Sequence, residues 1–169
     1  MKPWIGKQFQ EQAQKILILG ESWYGEFKRD DEIHTIDTWI LRKEPGKSDR
    51  FFSRIYNAAN PKSAADSSEK ERAIFWNKVA FTNLVSESVG EKARIRPGDA
   101  HWQKGARRLE KLLPIIKCNR IFVLGNDTSY YAAPIIERLG IKYISCPHPS
   151  GWGVTLALLK EKWIQLVLD

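Results

Sequence analysis

The chain has 169 residues, of which 43% are hydrophobic and 28% charged, the length and balance of one globular domain (1–169) with a sizeable core. No run of about 18 apolar residues occurs, which argues against a membrane span. Its two cysteines, Cys118 and Cys146, are too few for a disulfide framework or a four-cysteine metal cluster. A formal charge of +7 attracts phosphate backbones by counterion release, so nucleic acid is the first partner to consider, with solubility alone as the other use of such a charge. Seven tryptophans add candidate stacking groups, although most are expected in the core. The opening Met1-Lys2-Pro3-Trp4-Ile5-Gly6 has no apolar core of signal-peptide length, and a cytoplasmic protein is expected.

Residues 1–14 are polar and read as a short leading helix or arm. Lys15-Ile16-Leu17-Ile18-Leu19-Gly20 is a continuous apolar run closed by glycine, the pattern of a strand buried on both faces. Ile33, Ile36 and Ile40 keep helical spacing, as do Phe51, Ile55 and Ala59, and Asn60-Pro61 stops the second helix. Ser68-Glu69-Lys70-Glu71 matches a capping box and opens a helix through Ile74, Phe75 and Val79. Residues 80–85 follow as a strand, then a basic loop from Gly90 to Gly98 with Lys92, Arg94 and Arg96.

Asp99 is placed to cap the next helix, with Trp102, Ala106, Leu109, Leu113 and Ile116 on its apolar face. The opposite face carries Lys104, Arg107, Arg108 and Lys111, either a solvated surface or a track for a phosphate backbone. Arg120 to Gly125 is a second strand of the buried type. Asp127 or Thr128 caps the helix that follows, Pro134 falls inside it, and Gly140 closes it. A strand over 142–146 and a helix from Val154 to about Leu168 complete the chain. Alternation of buried strands with helices predicts an α/β fold: a three-layer α/β/α sandwich around a central, mainly parallel four-stranded sheet.

In such a sheet ligands bind outside the carboxyl ends of the strands. Those ends are Gly20-Glu21-Ser22-Trp23-Tyr24-Gly25, Asn83, Gly125-Asn126-Asp127 and the loop from Cys146 to Gly153. Asn83 interrupts an apolar strand, and a buried amide must be hydrogen-bonded; its paired donor and acceptor suit the edge of a pyrimidine, or simply tie two loops together. The last loop, Cys146-Pro147-His148-Pro149-Ser150-Gly151-Trp152-Gly153, is stiffened by two prolines and presents an imidazole, a hydroxyl and an indole. Taken alone it is also an ordinary turn, with Ser150 as N-cap of the last helix and Trp152 covering the core.

Together these motifs, in this order and across nearly the whole chain, resemble the uracil-DNA glycosylase superfamily. Gly20-Glu21-Ser22-Trp23-Tyr24-Gly25 is similar to its first motif, whose forms include GQDPYH, GINPG and GEAPG. His148-Pro149-Ser150-Gly151-Trp152 is similar to its last, with forms HPSPLS and NPSGLN. The strand ending near Asn83 resembles the one carrying a uracil-reading asparagine.

The resemblance implies hydrolysis of an N-glycosidic bond to a base flipped out of DNA. His148 would stabilise charge developing on the departing base, and Asn83 would read its edge beside Gly20, with Tyr24 or Trp39 stacking on it. Ser150 and Gly151 would hold a phosphate, Trp152 would fill the vacated stack, and Asn126 would also contact DNA. Several families of the superfamily place Asp or Asn where this chain has Ser22, which leaves Glu21 as the neighbouring carboxylate for orienting water. No metal or other cofactor is expected, iron–sulfur branches being excluded by the cysteine count, and a monomer suffices.

Two further readings compete. A non-catalytic nucleic-acid-binding protein would keep the fold and the basic surface without turnover. A serine hydrolase would use Ser22, Asp127 and His148, which occur in α/β-hydrolase order, although Tyr24 stands where the nucleophile elbow needs its second glycine.

Overall fold

A computed structural model describes residues 2–23, 32–41, 50–90 and 95–168. Tyr24, Gly25, Lys92 and Arg94, singled out from the sequence, lie outside the described residues. The strands are β1 (Trp4–Ile5), β2 (Ile16–Gly20), β3 (Ala80–Asn83), β4 (Arg120–Leu124) and β5 (Lys142–Cys146), and the helices α1 (Glu32–Leu41), α2 (Arg50–Ala59), α3 (Glu69–Lys78), α4 (Asp99–Ile116), α5 (Asn126–Arg138) and α6 (Leu156–Leu168).

The sheet has five strands in the order β1-β3-β2-β4-β5, not the four expected. β3, β2, β4 and β5 run parallel, and β1 pairs antiparallel to β3 with Trp4 opposite Phe81. β1 escaped the sequence reading because two residues are too few to show a period. It is fixed by tertiary contacts instead. Trp4 Nε1 donates to Trp76 O at 2.9 Å, and Gly6 N donates to Val79 O at 3.0 Å. A Cβ on Gly6 would collide with the backbone carbonyl of Asn77, so this close approach requires glycine. The expected leading helix reduces to one 3-10 turn at Phe9–Glu11.

Strand side chains alternate between two cores, as the two-residue period dictates. Ile16, Ile18, Phe81 and Phe122 face a core shared with α1, α2, α3 and α6, whose centre is aromatic: Trp39, Phe52, Tyr56, Phe75, Trp76 and Trp163. Leu17, Leu19, Ile121 and Val123 face a second core completed by Leu109 and Leu113 of α4 and Ile135 and Ile136 of α5. The result is three layers with the sheet in the middle. Among the described residues no helix is long and apolar enough to cross a membrane.

Helix ends follow local chemistry. The capping box opens α3 as expected, Ser68 Oγ accepting from Glu71 N and Glu71 Oε2 accepting from Ser68 N at 2.7 Å. Other caps differ from expectation. Gly98 and Gly125, rather than Asp99 and Asp127 or Thr128, are the N-caps of α4 and α5. Ser150 is not the cap of α6; Thr155 Oγ1 accepts from Leu158 N at 3.2 Å, and α6 begins at Leu156 rather than Val154.

Candidate functional site

The carboxyl ends of β2 and β3 are in register, with Gly20 opposite Asn83. Gly20 carries no side chain for a steric reason: a Cβ there would collide with Asn83 Oδ1 and lie 3.3 Å from the Phe51 ring. Asn83 is only 3% exposed. Its backbone is held from behind by α4, where Arg108 Nη1 donates to Asn83 O at 3.2 Å and to Thr82 Oγ1 at 3.2 Å.

Beyond Gly20 the backbone stays pinned. Leu84 N donates to Gly20 O, Val85 N to Glu21 O and Val89 N to Trp23 O, at 2.9, 3.0 and 3.1 Å. Trp23 anchors the same loop with its ring against Phe52 and Phe81. Glu21 and Ser22 therefore sit on a rigid loop rather than a free one.

β4 and β5 deliver the other half. Gly125 N donates to Cys146 O at 2.8 Å, which joins the two strand ends just before α5 begins. The position of a Cβ on Gly125 lies 3.5 Å from Glu21 Oε2, so the first loop and the start of α5 meet. Arg96 Nη1 pairs with Asp127 at 2.5 Å beside them. In the loop after β5, Ser150 N donates to His148 Nδ1 at 3.2 Å and Gly151 N donates to His148 O at 2.7 Å. A Cβ on Gly151 would press to 2.8 Å from that carbonyl. Arg54 of α2 fastens the loop by donating to Val154 O at 2.5 Å.

These contacts set the chemistry of His148. Nδ1 accepts a hydrogen bond, so the neutral ring carries its proton on Nε2. Burial, and then the nearby Arg96 guanidinium, hold its pKa below the usual histidine value. At neutral pH His148 is thus an uncharged donor through Nε2. Glu21 is shifted the other way: burial raises its pKa, Arg96 partly offsets that, and Asp127 adds to the rise. A carboxylate so placed is a better base than an exposed one.

Gly20, Glu21, Asn83 and His148 are brought to one edge of the sheet. Ser22 lies in the pinned loop, Asn126 opens the first turn of α5, and Ser150, Gly151 and Trp152 occupy the loop after His148. Trp152 is fully exposed, not over the core. Trp39 is not brought to this edge. It is 7% exposed, and its ring neighbours are the core aromatics Phe52, Tyr56 and Trp76, so it packs.

The sequence reading missed Phe51 and Arg96 as members of the site. Phe51 stacks on His148 with centroids 5.2 Å apart, yet in sequence it was only one apolar position of a helix. Burial raises the thiol pKa of both cysteines, that of Cys118 to about 12, as for inert core residues. The polarity of the bonds is wrong for a serine-hydrolase triad: Asp127 is paired with Arg96, and His148 Nδ1 accepts where a triad histidine donates. Among the described residues no group of three or more His, Cys, Asp or Glu could hold a metal ion. No protein-family model matches the sequence, and neither does any curated protein.

Proposed function

We propose that this protein hydrolyses the N-glycosidic bond of uracil or another deaminated base flipped out of DNA. The observation that carries the reading is His148, a neutral Nε2–H donor at the sheet edge where Asn83 and Glu21 also end. A departing base acquires negative charge on its ring, and a fixed donor aimed at that charge contributes about 3–4 kcal/mol to the transition state. Asn83, buried and backbone-anchored by Arg108, reads the base edge with its amide. Glu21 serves as general base toward water or as the negative charge facing a cationic sugar.

The rest of the surface suits a DNA partner. Trp152 stands fully exposed on the same loop as the imidazole, and its indole is the group proposed to enter the stack that a flipped base leaves. On α4, Lys104, Arg107, Arg108 and Lys111 line a groove of about 430 Å³ with Leu112 and Ile115 as its apolar part. Such a cationic groove attracts a phosphate backbone. The likeness of the motifs at Gly20–Gly25 and His148–Trp152 to the uracil-DNA glycosylase superfamily supports the same activity.

The test is single-turnover incubation with end-labelled oligonucleotides carrying uracil, hypoxanthine, xanthine or a thymine mismatch, followed by alkali. Strand breaks at one lesion name the base. Intact strands with every lesion, despite salt-sensitive binding, mean a nucleic-acid-binding protein without this chemistry.

A further inference from the structure

Arg54 lies in the middle of α2 and is half-buried. Its Nη2 donates to Val154 O at 2.5 Å; among the described residues that carbonyl is its one hydrogen-bond partner, and no carboxylate pairs with it. A guanidinium carries five N–H donors in a planar fork, so this one keeps most of its donors beyond the contact that fixes it. Its charge is felt at Cys146, where β5 ends and the His148 loop begins; Glu161 is felt there too, but is engaged by Gln165 and Lys162. Phe51, one helical turn before Arg54 on the same face of α2, stacks on His148. Between these two anchors the loop makes two successive turns, Gly151 N donating to His148 O and Val154 N to Gly151 O, at 2.7 and 3.4 Å. The fully exposed Trp152 lies in the same stretch. α2 thus grips the loop at both ends, with a ring at the histidine and a cation at Val154.

We propose that Arg54 binds a backbone phosphate of the damaged strand, next to the nucleotide whose base meets His148 and Asn83. The inference rests on the glycosidic reading in taking DNA as the source of the phosphate. A guanidinium matches a phosphate through two parallel N–H···O bonds, and a half-buried one is screened by salt less than an exposed one. Val154 O holds the fork in place before DNA arrives, so little side-chain freedom is lost on binding. The charge complements a phosphodiester because no acid has claimed it, whereas Arg96, Lys104 and Arg138 are each paired with a carboxylate. α2 and α4 pack on opposite faces of the sheet, so Arg54 is a contact separate from the α4 groove. A phosphate on Arg54 lies against the loop that carries His148 and Trp152, and the strand is held beside the base that leaves it.

Arg54→Gln keeps an amide donor for Val154 O and removes the charge; Arg54→Lys keeps the charge and loses the fork. Affinity for a lesion duplex is measured by fluorescence anisotropy across a salt series. Arg54→Gln is expected to bind about 10-fold more weakly and to reduce the slope of log affinity against log salt by about one, while Arg54→Lys keeps the slope. Duplexes carrying a neutral methylphosphonate at one position at a time then locate the contact. At one phosphate flanking the lesion, the replacement should cost the wild type about 10-fold in affinity, Arg54→Lys less, and Arg54→Gln almost nothing. Should Arg54→Gln not fold, the wild type and Arg54→Lys decide the question by the same comparison. An unchanged slope in Arg54→Gln, or methylphosphonate penalties equal in the wild type and the variants, reduces Arg54 to a brace of the loop and overturns the assignment, while excision by the wild type leaves the glycosidic reading standing. The expected slopes and penalties in a wild-type protein that excises no base overturn the glycosidic reading and leave the phosphate site.

Discussion

The ring of Phe51 lies against the imidazole of His148, with centroids 5.2 Å apart and planes inclined by 29°. The same ring reaches to 3.3 Å from the Cβ position of Gly20, so Phe51 bridges the first and last motifs of the site. It covers one face of the histidine and contributes to the burial that lowers the histidine's pKa.

Phe51→Ala should therefore raise the His148 pKa toward the ordinary value of about 6.5. Proton NMR titration of the imidazole reads this directly, and an unmoved midpoint contradicts the assignment. The wild-type shift has a consequence for stability. With the folded pKa depressed, the unfolded chain binds more protons below about pH 6.5, so stability falls as pH drops from there through the folded pKa. In Phe51→Ala that acid loss attributable to His148 should shrink.

Glu21 and Arg96 govern the acid side of activity. Glu21→Gln should lower the single-turnover rate by about 10²- to 10⁴-fold, the range for a lost general base. Arg96 opposes the upward shift of Glu21 and also disfavours the charged form of His148. Arg96→Gln should raise both pKa values, moving the acid limb of the pH–rate profile to higher pH. A limb that stays in place or moves to lower pH would show that Arg96 does not act on either group.

Trp152 has no packing role to lose, being fully exposed. Trp152→Ala should leave the thermal midpoint nearly unchanged, while binding to a lesion duplex weakens by about 1–3 kcal/mol, the scale of base–aromatic stacking. Equal affinities for the two proteins, measured by fluorescence anisotropy, would remove Trp152 from the interface.

The α4 groove gives a prediction in salt. If Arg107 and Lys111 neutralise one phosphate each, Arg107→Glu with Lys111→Glu should reduce the slope of log affinity against log salt by about two. Arg108 is left intact in this variant because it holds the backbone of Asn83. An unchanged slope would locate the DNA elsewhere on the surface.

Where sequence reading succeeded, a local signal sufficed. The apolar runs ending at Gly20 and Gly125 are legible because parallel strands are buried on both faces, and the Ser68–Glu71 box is a contact across three residues. Asn83 stood out as a polar residue in an apolar strand. β1 had no such signal, since Trp4 and Ile5 are a strand only by virtue of Phe81 and Trp76. Trp39 and Phe51 exchanged roles for the same reason. Both are aromatic positions on helices, and which one meets a strand end is decided by how α1 and α2 pack. Thr128 looked like a cap because threonine often is one, but Gly125 takes that place and leaves the hydroxyl turned inward.

The most direct test of the account is His148→Ala, measured for excision rate and for affinity on the same lesion oligonucleotide. Loss of a donor that acts on charge in the transition state predicts a rate about 10²- to 10³-fold lower with nearly equal affinity. An unchanged rate, or a loss confined to affinity, would contradict the role assigned to His148 and the glycosidic chemistry built on it.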